Sequence, residues 1–335
     1  MKSASFVEAS APARVDLAGG TLDLWPLHAL HRGSVTVNLA IDRRAGCRVR
    51  LAGQGIRVLA ADRGVDVTVE AARELLADPR TALVGALVEE LSPDGGVEIE
   101  FRSGVPFGSG LGGSSALAVA VAAALSRACG TSLGGVGGVE FVRDVETRVL
   151  GKPAGVQDYY PAFGGALHCL WFETGRTIAE RRPIDAGEWE SHLTLFDTGA
   201  AHSSGMNNWE IFRRRLEGDT AVARSLDDVA AAARDMATAA RERDFPAMGA
   251  ALSREWKARR ELAPVVSSPA IDRAIAAAIH AGAWGGKACG AGGGGCVVFL
   301  SPAEKTGDVR DALGRLGEGS ILDVRAEPRG LEISV

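Results

Sequence analysis

A chain of 335 residues with 46% hydrophobic and 24% charged side chains has the balance of an ordinary globular protein, with about two domains and ample core. Its net charge of −5 gives no general affinity for nucleic acid or anionic membrane, and the longest apolar run, residues 116–125, is too short to span a bilayer. Five cysteines, at 47, 129, 169, 289 and 296, show no Cys-x-x-Cys spacing, and no basic and apolar leader opens the chain; structural thiols in a reducing, cytoplasmic setting are expected. In chain order, residues 5–60 read as strands broken by turns, and 35–41 alternates like a half-buried strand. Residues 71–91 carry Leu75, Leu76, Leu83, Leu87 and Leu91 at helical spacing. A strand-like run at 97–101 then leads through a glycine-rich loop into a helix over 116–128. Gly134, Gly135, Gly137 and Gly138 mark a connector before a second helix, about 139–150, that ends at Gly151. Strands are expected over 166–172 and 192–197, and residues 219–262 read as helix with Pro246 as a break. The remainder reads helix (270–281), glycine loop, strand (296–300), helix and strand, so the fold class is α+β.

Residues 106–116, Pro-Phe-Gly-Ser-Gly-Leu-Gly-Gly-Ser-Ser-Ala, carry the most information. Glycines let backbone N–H groups approach an anion, and Ser114 or Ser115 can cap the helix whose positive end faces it. Gly108, Gly110 and Gly113 satisfy G-x-G-x-x-G, but the dinucleotide reading wants an acidic residue about 20 positions on. None stands between Glu100 and Glu140. A Walker A loop needs Lys-Ser or Lys-Thr after its last glycine, and Gly113 is followed by Ser114. A glycine turn that merely caps a buried Ala/Val helix also accounts for the segment taken alone.

The string resembles the ATP loop of the GHMP kinases, the family of galactokinase, homoserine kinase, mevalonate kinase and phosphomevalonate kinase. Residues 11–23, Ala-Pro-Ala-Arg-Val-Asp-Leu-Ala-Gly-Gly-Thr-Leu-Asp, resemble the family's first motif. Residues 287–299, Lys-Ala-Cys-Gly-Ala-Gly-Gly-Gly-Gly-Cys-Val-Val-Phe, resemble its third. The resemblance implies a two-lobed architecture: an ATP-binding lobe over 1–185 with a left-handed βαβ crossover, and a ferredoxin-like lobe over 186–335. It implies ATP and Mg²⁺ as cofactors and a small-molecule substrate. Pro106, Gly108, Ser109, Gly110, Leu111, Gly112, Gly113, Ser114 and Ser115 would hold the phosphates, with Gly292 and Gly293 from the third motif. A monomer or homodimer is expected, with neither nucleic acid nor membrane as partner.

Phosphoryl transfer needs charge neutralisation, a metal bridging the phosphates, and a group that places or deprotonates the attacking hydroxyl. By similarity Ser115 and Glu146 would hold Mg²⁺, with Asp144 as the alternative carboxylate. Residues 155–165, Gly-Val-Gln-Asp-Tyr-Tyr-Pro-Ala-Phe-Gly-Gly, resemble a heptose-phosphate kinase segment and make Asp158 the catalytic candidate, with Arg14 bracing the phosphoryl group or the hydroxyl. A turn Asp and a surface ion pair are the plain alternatives for the two.

Asp23 matches the sugar-binding Asp of galactokinases, and a carboxylate suits a vicinal diol because it accepts two hydrogen bonds. The Glu-His-Thr that galactokinases place before it is Gly20-Thr21-Leu22 here, which puts galactose in doubt. The wording is closer to heptose- and fucose-type kinases, which phosphorylate the anomeric hydroxyl. Gly20, Thr21, Asp23, Gln157, Tyr160, Thr198 and Ser203 are therefore the substrate candidates, joined in the same loop by His202, Asn207 and Asn208. Trp25 could stack on a sugar or sit in the core, and Arg213, Arg214 and Arg215 could read a substrate phosphate or form a solvated face. The function expected is a sugar or sugar-phosphate kinase. The alternatives are a mevalonate-type alcohol or phosphoalcohol kinase and a non-catalytic sugar sensor.

Overall fold

The structure is a computed structural model that describes residues 6–106, 108–200 and 204–335, without the side chains of 204–207. Along the first half run β1 (Val7–Ala18), the short helix α1 (Leu27–Leu30), β2 (Val35–Ala52), β3 (Ile56–Ala60), β4 (Val65–Val69), α2 (Ala82–Leu91), β5 (Gly96–Arg102), α3 (Gly113–Ala128), α4 (Gly135–Leu150), α5 (Tyr159–Gly164), β6 (Leu167–Glu173) and β7 (Arg176–Arg182). The second half holds α6 (Ala186–His192), β8 (Leu193–Asp197), α7 (Ser204–Leu216), α8 (Thr220–Glu242), α9 (Phe245–Arg260), α10 (Pro269–His280), β9 (Gly285–Ala288), β10 (Cys296–Leu300), α11 (Thr306–Gly314), β11 (Ser320–Leu322) and β12 (Glu332–Ser334).

The strands of the first half form one sheet in the order β1-β2-β5-β3-β4, with β6 on β2 and β7 on β6. β2 is long enough to serve three partners: β1 on one edge, and on the other β6 beside 35–39 and β5 beside 46–52. Residues 35–41 are buried throughout rather than on alternate positions, because α3, α5 and α8 all pack against β2. α3 is buried from Ser115 to Ser126; its alanines let it lie close against β1 and β2.

The second sheet has the antiparallel order β11-β8-β10-β9. Numbered within the lobe this is 4-1-3-2, the split βαβ arrangement of a ferredoxin-like unit. A shared core joins the lobes: Val15, Leu17 and Val37 of the first pack with Met236, Leu252 and Val298 of the second. The expected 186–335 lobe is not one contiguous unit, since β12 returns to pair with β1 and Glu327 bonds the backbone of Ala40 and Ala166. Without it the outer edge of β1 would be a bare template for strand pairing.

Two local expectations are corrected and a third is met. Residues 71–91 are not one helix: Pro79 breaks the run, leaving a 3₁₀ turn at Ala72–Ala77 and then α2. The 135–138 glycines form the first turn of α4 instead of a free connector. Pro246 does mark a break: α8 ends at Glu242 and α9 begins at Phe245, with Pro246 in its first turn, where its missing N–H costs nothing, and Asp244 caps that helix by accepting from Ala247 N.

Candidate active site

Two glycines set the path of the 106–113 loop. Gly110 has φ +76°, and a Cβ there would stand 2.4 Å from the carbonyl oxygen of Cys289. Gly112 has φ +70°, with its Cβ position 3.1 Å from Asp158 Oδ2. A left-handed backbone this close to a partner admits only glycine. Gly112 is also the N-cap of α3, and no side chain caps the helix. Neither Ser114 nor Ser115 therefore fills the capping role expected of it. Ser115 Oγ donates to Glu146 Oε2 at 3.0 Å and lies 3.4 Å from Asp158 Oδ2. The first-turn N–H groups of α3, uncapped by side chains, are the donors an anion would use.

Arg14 comes from β1 and Asp158 from the residue before α5. Arg14 Nε donates to Asp158 Oδ1 at 2.8 Å, Nη2 lies 2.6 Å from the same oxygen, and Nη1 donates to the Gly110 carbonyl at 2.5 Å. Arg14 N also donates to Leu111 O, so one residue ties the first strand to the loop twice. Burial works against the Arg14 charge, but Asp158 and Asp16 outweigh it and hold the guanidinium above its ordinary pKa.

Glu146 is buried, and burial pushes its carboxyl up, opposed by the hydrogen bonds from Tyr159 Oη (2.5 Å) and Ser115. Asp144, the alternative carboxylate, is exposed and paired with Arg143. Asp23 Oδ2 accepts from Gln157 N at 3.0 Å. Burial raises the Asp23 pKa to about 6, with the charges of Asp158 and Asp16 adding to it.

These groups line one cavity of about 660 Å³, within the usual range for small-molecule sites. It takes in Pro106, Gly108 to Ser115, Arg14, Glu146 and Asp158, together with Thr21, Asp23 and Gln157. Five candidates do not line it. Gly20 lies behind the turn, its carbonyl accepting from Arg259. Tyr160 faces His168 instead. Thr198 bonds Gly295 O. Gly292 and Gly293 pack on Val266, and the third loop reaches the cavity through Gly290 and Ala291. Ser203 and His202 lie outside the described residues. Trp25 is 72% exposed, neither core nor cavity wall. Arg213 pairs with Glu217, Arg214 with Asp219, and Arg215 donates to His31.

Sequence reasoning missed several groups. Tyr159, beside the chosen Tyr160, is the residue that reaches Glu146. Trp209 and Phe212 of α7 form an apolar wall, and Arg63 and Arg80 stand in the same cavity. Under the 19–21 turn lies a buried charge network: Lys287 Nζ is 2.9 Å from Asp16 and 3.3 Å from Glu255, and Arg259 is 2.6 Å from Glu255. Burial would raise the Asp16 pKa, but Lys287, Arg259 and Arg14 hold it below its ordinary value. Glu255 and Arg259 stand four apart on a charged helix, which in sequence reads as a surface pair.

The family model described as GHMP kinases N terminal domain matches residues 80–166, and that described as GHMP kinases C terminal matches residues 236–319. The chain belongs to the GHMP kinase family. Members are ATP-dependent phosphotransferases that act on hydroxyl groups. This GHMP kinase is 29% identical over 234 residues to the D-glycero-alpha-D-manno-heptose 7-phosphate kinase of Campylobacter jejuni, covering 69% of this chain and 68% of that protein. It is 28% identical over 297 residues to the mevalonate kinase of Archaeoglobus fulgidus, covering 89% and 93%. A D-glycero-D-manno-heptose 1-phosphate kinase from Bacteriodes thetaiotaomicron shares the fold, with a TM-score of 0.77 at 22% identity and coverage of 98% and 99%. Among the described residues no helix is long and apolar enough to cross a membrane.

Proposed function

We propose that this GHMP kinase transfers the γ-phosphoryl group of ATP, with Mg²⁺, to a hydroxyl of a sugar or sugar phosphate, the anomeric hydroxyl being its target. One observation carries the reading: Arg14, Asp158, Ser115 and Glu146 converge at the N-terminal end of α3, and Asp23 lines the same cavity.

The donor set fits a hard cation. Ser115 Oγ stands between the Glu146 and Asp158 carboxylates, all oxygen, beside the helix end that would hold phosphates. The described residues contain no cluster of three or more His, Cys, Asp or Glu suited to a metal, so phosphates and water would complete the coordination. Ser115 and Glu146 would hold Mg²⁺, which would supply neutralisation of the phosphate charge there. The uncapped N–H groups of α3 hold the phosphates from the other side. Arg14 fixes Asp158 and adds positive charge where the transferring group carries negative charge. Asp158 orients the attacking hydroxyl and takes its proton as the new O–P bond forms and the bond from the γ-phosphorus to ADP breaks, ADP leaving with that electron pair.

A carboxylate at the acceptor end supports a polyol, since Asp23 can accept from two hydroxyls. The name of the Campylobacter relative supports a sugar phosphate. The longer alignment with an archaeal mevalonate kinase favours a second reading, an alcohol of the mevalonate type. The deciding experiment is ADP release from Mg·ATP over heptoses and heptose phosphates, fucose, galactose, uronic acids and mevalonate. Turnover on a sugar or sugar phosphate supports the proposal, and turnover on mevalonate alone replaces it. ATP binding with no turnover on any member would favour a sensor.

A further inference from the structure

Thr21 stands in a conformation that its side chain disfavours. Its φ is +75°, a β-branched residue in the left-handed region, and it is the cavity-lining member of the non-glycine residues described there. Three bonds from the second lobe hold the turn: Glu255 Oε1 accepts from Gly19 N (3.3 Å), Arg259 Nη2 donates to Gly20 O (2.7 Å), and Arg259 Nη1 donates to Thr21 Oγ1 (3.2 Å). Glu255 and Arg259 are themselves fully buried and bonded to each other, so the grip is rigid. On its far side Thr21 Oγ1 donates to Asn208 Oδ1 at 2.9 Å.

The order of these bonds fixes the direction of an amide. A guanidinium has only donors, and a hydroxyl has a single proton. Thr21 therefore accepts from Arg259 and must give its proton onward, and the atom that receives it on Asn208 is the carbonyl oxygen. The Asn208 NH₂ is left on the other branch of a side chain that lines the cavity, where no described residue is recorded accepting from it. Two residues beyond Thr21 stands Asp23, a pure acceptor when ionised.

We propose that Asn208 is a specificity-determining residue, held as a donor by the chain Arg259 to Thr21 to Asn208, and that with Asp23 it reads two neighbouring hydroxyls of the acceptor. One hydroxyl donates to Asp23, and the other accepts from Asn208 Nδ2. Arg259 and Thr21 are positioning residues. The role rests on the sugar kinase reading and adds to it the class of group recognised, a vicinal diol, together with the source of the discrimination against its deoxy analogues.

The test uses the whole chain in two arms. In the first, thermal unfolding without acceptor is measured for Thr21→Val, Asn208→Ala and the double variant. Coupled effects are expected, and additive ones overturn the relay. In the second, the best-used sugar of the panel above and its deoxy analogues are assayed with Thr21→Gly, Thr21→Ser and Asn208→Asp. Thr21→Gly relieves the backbone strain but removes both hydroxyl bonds, so its melting is recorded beside the kinetics to show that it is folded. Its acceptor KM should rise about 10-fold or more, with the ATP KM within about two-fold. Thr21→Ser should restore the acceptor KM, and Asn208→Asp should raise it. An unchanged acceptor KM in Thr21→Gly, or an equal rise for ATP, overturns the proposal. Coupling in the first arm with no sugar phosphorylated by the wild type places the failure in the sugar kinase reading, and the acceptor role falls with it.

Discussion

Asp158 is gripped at one oxygen and open at the other. Arg14 takes Oδ1 through two nitrogens, and Oδ2 is left toward Ser115. A carboxylate so held is fixed in place, and its first contribution is to orient the hydroxyl. Asp158→Asn should lower turnover by about 10²–10⁴-fold while nucleotide still binds, read by ADP release beside a nucleotide titration. The same change leaves Arg14 buried without its anion, at a cost of about 3–5 kcal/mol, so melting is recorded with it. Asp23 makes a second prediction. With its pKa raised to about 6, it is ionised for diol binding only above that pH, and acceptor kcat/KM should fall as pH drops through about 6. Its effect on stability has the opposite sense. A carboxyl that ionises later in the fold than in the unfolded chain favours the fold below about pH 4, and that contribution is lost as pH rises through about 6. Asp23→Asn should therefore remove the acid limb of the activity profile and melt higher than the wild type at pH 8.

At the level of elements, the glycines divide by what surrounds them. A methyl group at Gly112 would meet the Asp158 carboxylate in a left-handed backbone, whereas one at Gly137, inside α4, would meet nothing within 4 Å. Gly112→Ala should abolish most turnover. Gly137→Ala should stabilise the protein by about 0.5–1 kcal/mol with kinetics unchanged, checked by denaturant titration and initial rates. This difference also marks how far the sequence could be read. The loop and α3 were legible because glycine spacing and an apolar helix are local signals. The phase of α5 was not: a helix of six residues has no periodicity to tell Tyr159 from Tyr160. Nor could the run Gly290 to Gly295 show which residues face the cavity, since the carbonyl of Val266, distant in sequence, decides it. Asn208 was legible as a polar candidate and does line the cavity, but the apolar wall of Trp209 and Phe212 beside it depends on how α7 packs, which no short-range pattern encodes.

Over the whole molecule, the lobes meet through both oil and charge. The apolar core runs across the junction, and Asp16, Lys287, Glu255 and Arg259 are sealed inside it. Replacing Lys287 with Met leaves Asp16 without its nearest cation and should cost about 3–5 kcal/mol, seen as one earlier, still cooperative unfolding transition for both lobes. A partial transition confined to one lobe would show that the shared core does not couple them. The three motifs made the two-lobed plan readable, but the return of β12 to the first sheet was not, because three short exposed residues carry no strand signal of their own.

That return sets the first and last strands described side by side: Glu8 lies opposite Ser334 in the antiparallel pair β1–β12. From β1 to β12 the path of the backbone thus nearly closes on itself. A short linker could join β12 to β1, and a new start could be opened at the exposed Thr174-Gly175 tip of the β6–β7 hairpin, which is not among the cavity-lining residues. Such a circular permutant should fold and turn over as the parent does.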